Sequence, residues 1–448
     1  MNGTGRLVRR RWVIAGLLVV AAAAAAASLP VAAPLPDPEI SPTLAQRQPD
    51  AANGQYIAVL GDCAFCHTSI GGKPFAGGLT LATPMGAIYS SNITPDLETG
   101  IGRYTFKDFV RVMRLGVTPN GTRLYPAMPY TAYSKVSDND LQDLFAYLRS
   151  AIAPVHQVSR TTDIVWPLSM RWPLALWNIA FHDNSRFMTD ASQDAQWNRG
   201  AYLVQGLAHC GTCHTPRGLL FEEKDVRGAT NLFLSGARLD GTSPINLRGN
   251  DGDGLGRWSA TDVAALLKSG RNAHSAVTGT MADVVRHSTQ YMTDQDVAAI
   301  AEYLKSLSPA PGNGHASFAA SDTTIRTLMS GAERSSGGRI YMDSCAACHR
   351  LSGSGENLAF PTLAGNPTVL SSDPSSLIAV ILTGARTPAT AGAPTGLAMP
   401  DFGWRYDDAD IADLATFVRS HWGNGAGPVA VAQVASVRKQ LGIGRPNR

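Results

Sequence analysis

Cysteine is scarce in this chain: 448 residues hold six, and none lies outside three short stretches. That leaves none for a structural disulfide framework. Charge is thin as well, 16% of residues, and balanced, with 38 Lys and Arg against 35 Asp and Glu. The formal +3 becomes −1 once the four arginines of residues 1–33, a stretch without an acidic residue, are set aside. Such a remainder offers no basic surface for nucleic acid. Beyond residue 33 no apolar run is long enough to span a bilayer. No nucleophile–base pairing or phosphate-cradling glycine loop stands out either.

What is there is concentrated. The stretches "GDCAFCHTS", "AHCGTCHTP" and "DSCAACHRL" each place two thiols three positions apart with a histidine directly after: Cys63, Cys66 and His67; Cys210, Cys213 and His214; Cys345, Cys348 and His349. C-x-x-C-H is the attachment signature of c-type haem. Each thiol adds across one porphyrin vinyl group, and the next residue on the same turn brings an imidazole under the iron. Zinc is the competing reading, but it needs four ligands, usually from two clips close in sequence. Here the clips lie more than a hundred residues apart. Thiol redox chemistry is a weaker third. Three haem c groups are expected.

Covalent haem of this kind requires export, and the N-terminus carries a matching address. Arg6, Arg9, Arg10 and Arg11 precede "WVIAGLLVVAAAAAAASLPVAA", a basic start, an apolar middle and small residues at the end. Residues 1–33 read as a signal peptide, cleaved near Ala27 to Ala33 or retained as an anchor.

The three motifs divide the chain into repeats at 50–155, 196–308 and 332–424. Each begins with a glycine and an aromatic upstream of the first cysteine: Gly54 and Tyr56, Gly200 and Tyr202, Gly338 and Tyr341. Each continues with a helix ending at Gly116, Gly270 or Gly384, and closes with an amphipathic helix, "SDNDLQDLFAYLRS", "TDQDVAAIAEYLKSL" or "DDADIADLATFVRSHW". Polar caps and terminal glycines are the expected start and stop signals. The fold class is therefore all-α, with first and last helices crossing so that the glycine corner packs on Tyr147, Tyr303 or Phe417.

Residues 309–331 form a Pro/Gly/Ser-rich linker, and 425–448 a basic tail expected to be solvated. Residues 156–195 differ. Trp166, Trp172 and Trp177 crowd "IVWPLSMRWPLALWNIAF", which is too apolar for a free linker. It reads as a strap packed across repeats one and two, or as a face for a partner subunit or the membrane.

A second axial ligand decides between carrier and catalyst, since a thioether closes the iron and an open position invites ligands. Met128 in "LYPAMPYTAY" and Met399 in "GLAMPDFGW" lie between the middle and closing helices, each before a proline that stiffens the segment. Repeat two offers Met281 and Met292. Met281 lies 11 residues after Gly270, as Met128 lies 12 after Gly116, so spacing favours Met281. Taken singly, a methionine is more often core filler; recurrence at matched places makes the case. Asp251 and Asp253 in "GNDGDGLG" lack the glutamate of a calcium loop and read as a polar turn. His209, His274 and His287 read as surface residues.

These stretches, with "CAFCHTSIGGKPFAGG", "YSSNITPDLETGIGRYTFKDFVR", "WPLSMRWPL", "STQYMTDQDVAAIAEYLKSL" and "FPTLAGNP", resemble the triple-haem cytochrome c subunits of membrane-bound dehydrogenases acting on alcohols, gluconate, sorbitol or fructose in acetic acid bacteria and related proteobacteria. The resemblance spans nearly all of the chain after residue 33 and is weakest between Arg217 and Pro244. It implies three tandem class I-type cytochrome c domains with Met128, Met281 and Met399 as sixth ligands. It also implies electron transfer from a catalytic dehydrogenase subunit (quinoprotein, flavin or molybdenum type) to ubiquinone or a terminal oxidase at the periplasmic face of the inner membrane. No independent catalysis is expected. A free periplasmic electron shuttle and a haem peroxidase are the alternatives.

Overall fold

The computed structural model describes residues 36–225, 230–239, 241–312 and 315–444; the expected signal peptide lies outside them. Three helix pairs build the body that starts at Pro38. The opening helices are Ala51–Leu60, Ala195–Tyr202 and Ser336–Ser344, and the closing helices Asp138–Ser150, Asp294–Ser306 and Asp408–Ser420. Ser137, Thr293 and Asp407 cap the closing helices by accepting backbone N–H groups of the first turn. The middle helices Phe106–Leu115, Ala260–Ser269 and Ser375–Thr383 stop where Gly116, Gly270 and Gly384 take φ of 62°, 77° and 70°, a region that favours glycine.

Within each pair a glycine lets the helices touch. A Cβ on Gly54 would lie 1.9 Å from the Asp143 carbonyl oxygen, on Gly200 2.0 Å from that of Ala299, and on Gly337 2.2 Å from that of Asp413. The same three glycines face the Cβ atoms of Tyr147, Tyr303 and Phe417, as expected. The third contact glycine is thus Gly337 and not Gly338, which meets only the flexible Glu333 side chain. Tyr56 departs from expectation too. Its hydroxyl leaves its own repeat, donating to Asp296 at 2.8 Å and accepting from the Thr293 N–H at 2.9 Å.

Apolar burial joins the first two repeats. Ile57, Leu144, Val204 and Ile300 belong to one continuous core, whereas Ile340, Ile378, Ile411 and Trp422 form another in the third. Small β ribbons interrupt the expected all-helical pattern: Thr80–Thr83, Gly86–Tyr89 and Asp163–Ile164 pair antiparallel, as do Ser317–Phe318 with Asn424–Gly425 and Ala385–Arg386 with Ala398–Met399. These strands are two to four residues long, too short for an alternating sequence pattern to register.

The strap crosses between repeats one and two. Asn178 accepts from the Tyr130 hydroxyl at 2.8 Å, and the Trp177 indole donates to the Leu220 carbonyl at 2.9 Å. Its helix Pro173–Phe181 nevertheless buries no residue. The basic tail is not solvated as expected. Residues Val431–Gln440 form a helix with Val434 and Val437 buried, and Arg438 pairs with Asp408 at 2.7 Å inside the protein. Charge composition alone hid the apolar face that docks it.

Candidate functional site

Each C-x-x-C-H stretch folds into one helical turn. The histidine N–H returns to the carbonyl of the first cysteine, His67 to Cys63 at 3.0 Å, His214 to Cys210 at 3.0 Å and His349 to Cys345 at 2.9 Å. An i, i+4 relation puts the first thiol and the imidazole on the same side of the turn. In the first motif Asp62 starts the turn in the left-handed region, at φ 51°.

The three imidazoles are held alike. His67 Nδ1 donates to the Ser91 carbonyl at 2.7 Å, His214 Nδ1 to Ile245 at 2.8 Å, and His349 Nδ1 to Pro361 at 3.0 Å. Against a carbonyl, Nδ1 has to carry the proton, which leaves the Nε2 lone pair free for iron; a second partner of this kind fixes tautomer and ring orientation. Burial lowers all three below the ordinary histidine range, so they stand neutral. These carbonyls escaped sequence reasoning because a backbone oxygen has no residue signature. Their separations from the histidine, 24, 31 and 12 residues, share no spacing either.

No disulfide joins any of the six cysteines. Burial pushes Cys63, Cys66, Cys210 and Cys345 up to about 12, and raises Cys213. Such thiols stay protonated at neutral pH, whereas redox-active cysteines need a depressed value. Among the described residues no three His, Cys, Asp or Glu side chains gather as a metal-holding group, so the zinc reading finds no fourfold donor set. Two thiols and one neutral, oriented imidazole per turn is the donor set that haem c requires.

The methionines separate by environment. Met128, Met281 and Met399 are half-buried; the first and last border the two large cores, and Met281 borders a small cluster of Val277, Ala282 and Val285. Met292 is buried within the large core of repeats one and two. Met399 opens on a cleft of about 510 Å³ whose opposite wall is the helix Gly279–His287, the helix that carries Met281.

Of the three histidines expected at the surface, His209 and His274 are half-buried. His209 is buried enough to lie below the usual range, with the Tyr133 ring edge-on at 5.7 Å. His274 stacks on Trp258 at 5.3 Å. His287 is exposed, yet its ring lies against Phe65 at 5.5 Å. The Asp253 loop is a polar turn held by His315 at 2.8 Å.

Comparison with known proteins agrees with this chemistry. The family model for cytochrome c matches residues 198–308 and 335–422. The gluconate 2-dehydrogenase cytochrome c subunit of Pantoea cypripedii is 48% identical over 86% of this chain and 89% of its own. The cytochrome c subunit of alcohol dehydrogenase (quinone) of Gluconobacter oxydans (strain 621H) is 43% identical over 86% of this chain and 81% of its own. The fructose dehydrogenase cytochrome subunit of Gluconobacter japonicus is 36% identical over 89% and 85%.

Proposed function

Because this chain belongs to the cytochrome c subunits of gluconate, alcohol and fructose dehydrogenases, we propose that it is the electron-transfer subunit of a dehydrogenase complex, carrying three haem c groups in three tandem class I-type domains. Cys63 with Cys66, Cys210 with Cys213, and Cys345 with Cys348 would hold them. His67, His214 and His349 would be the proximal ligands, and Met128, Met281 and Met399 the distal ones. Bound haem supplies one-electron chemistry; the protein positions and tunes it. The observation carrying this reading is the threefold recurrence of a C-x-x-C-H turn whose imidazole is at least half-buried and spends its Nδ1–H on a backbone carbonyl.

A catalytic partner breaks the substrate bond and releases two electrons. This chain takes them one at a time and delivers them to ubiquinone or a terminal oxidase at the periplasmic face of the inner membrane. The test uses membranes from cells with and without the gene, given ethanol, an aldehyde, gluconate, sorbitol, fructose and a nitrogen heterocycle in turn. Haem c and quinone reduction by one substrate, only with the gene present, is the expected result. No gene-dependent reduction by any of them overturns the subunit reading in favour of a free shuttle or a peroxidase.

A further inference from the structure

The first two motifs do not stand apart. Tyr133 spans them: its hydroxyl donates to the Gly61 carbonyl at 3.0 Å, while its ring meets His209, the residue before Cys210, at 5.7 Å. On the other side, Phe65 between Cys63 and Cys66 stacks on His287 at 5.5 Å and 21°. His287 ends the helix that carries Met281. The first attachment turn is therefore gripped between the approach to the second and the helix bearing the second site's methionine.

A reciprocal contact sets this grip. Tyr56 of the first opening helix bonds the N-terminus of the second closing helix, at Thr293 and Asp296. Tyr202 of the second opening helix bonds the N-terminus of the first closing helix, accepting from the Ser137 N–H at 3.1 Å and donating to Asp140. That is the exchange of equivalent contacts a two-fold arrangement produces, here between repeats of one chain sharing one core.

We infer that Tyr133 and Phe65 are positioning residues that lock the first and second haem sites into a directly exchanging pair. The inference rests on the three-haem reading above. With haem bound at both sites, one electron supplied by the dehydrogenase partner would cross per exchange, oxidising one iron as it reduced the other, with no bond or proton changing hands. What the protein has to provide is fixed geometry, and aromatic contacts on both sides of the turn provide it.

Circular dichroism of the reduced, full-length protein in the Soret band tests this, because two close haems split the band into a bisignate couplet. The couplet is expected to vanish in Cys63→Ser/Cys66→Ser and in Cys210→Ser/Cys213→Ser, and to survive Cys345→Ser/Cys348→Ser. A repeat without haem can fail to fold, so Tyr133→Leu with Phe65→Ala is measured beside them. With all haem retained, that variant is expected to shrink the couplet about twofold, as loosened supporting contacts let a site drift. A couplet that survives loss of the first or second haem, or that the Tyr133/Phe65 variant leaves intact, overturns the pairing. A haem content other than three per chain overturns the reading beneath it instead.

Discussion

An imidazole that binds iron has to arrive neutral and already aimed; at His67, His214 and His349 burial favours the neutral ring, and one hydrogen bond from Nδ1 to a backbone carbonyl fixes its tautomer and orientation. The proposed opposite ligands, Met128, Met281 and Met399, can be tested one at a time. Met128→Ala, Met281→Ala and Met399→Ala are each expected to turn one low-spin haem high-spin in absorption and paramagnetic resonance spectra, while Met292→Ala costs about 2–5 kcal/mol of stability as a core truncation. If Met292→Ala alone changed the spin state among the repeat-two variants, Met281 would not be the ligand. Asp62 is the residue whose charge fits least. Its carboxyl is buried with Oδ1 unpartnered, and burial, with the charge of Asp283 second, raises it from 3.8 to about 8. The folded chain then holds a proton that the unfolded chain releases, so the stability this group contributes is complete below 3.8 and lost as pH rises to about 8. Asp62→Asn is expected to flatten that slope and to gain about 1–3 kcal/mol above the window, read by denaturant unfolding across it.

Helix pairs are the next scale, and there the sequence was legible where chemistry is local. Caps, terminal glycines and amphipathic spacing located the middle and closing helices, because those signals lie within a few residues of what they control. Close approach is different: it depends on a partner far along the chain, so the sequence pointed to Gly338, whereas the Asp413 carbonyl, 76 residues on, stands against Gly337. Gly54→Ala and Gly337→Ala are expected to destabilise by about 1–3 kcal/mol. Gly338→Ala should be neutral or stabilise by about 0.5–1 kcal/mol, since helix propensity then acts alone. Equal losses at 337 and 338 in denaturant midpoints would refute the assignment. The C-terminal helix belongs here too. Its Arg438 side chain is 3% exposed and bonds Asp408, the Gly403 carbonyl and the Tyr406 carbonyl. Arg438→Ala should cost about 3–5 kcal/mol, because it leaves Asp408 charged in the interior.

At the scale of the whole molecule, the threefold recurrence of motif turn and helix pair was readable because each motif is contiguous in sequence, but the mutual packing of repeats was not. Tyr56 and Tyr202 read as corner aromatics, and only the fold shows that they reach across to each other's repeat. The strap shows a comparable reversal. Its polar groups tie repeats one and two together, while its apolar side chains turn outward: Trp166 is 78% exposed, Ile179 83% and, beside the Trp177 bond, Leu219 98%. Between residues 164 and 181 the only charged side chain is Arg171, and its guanidinium lies 3.8 Å over the Tyr125 ring, near Met128 in sequence. Tryptophan beside aliphatic residues, almost without charge, is the composition of a membrane–water boundary, and the proposed delivery of electrons to ubiquinone would set this face against the bilayer. Removing two such side chains forfeits about 1.5–3 kcal/mol each. Trp166→Ser with Ile179→Ser should therefore weaken binding to liposomes of inner-membrane lipid by at least about tenfold, with haem content unchanged. Flotation would show it, and full retention of the double variant on the vesicles would mean that this face meets a protein partner instead.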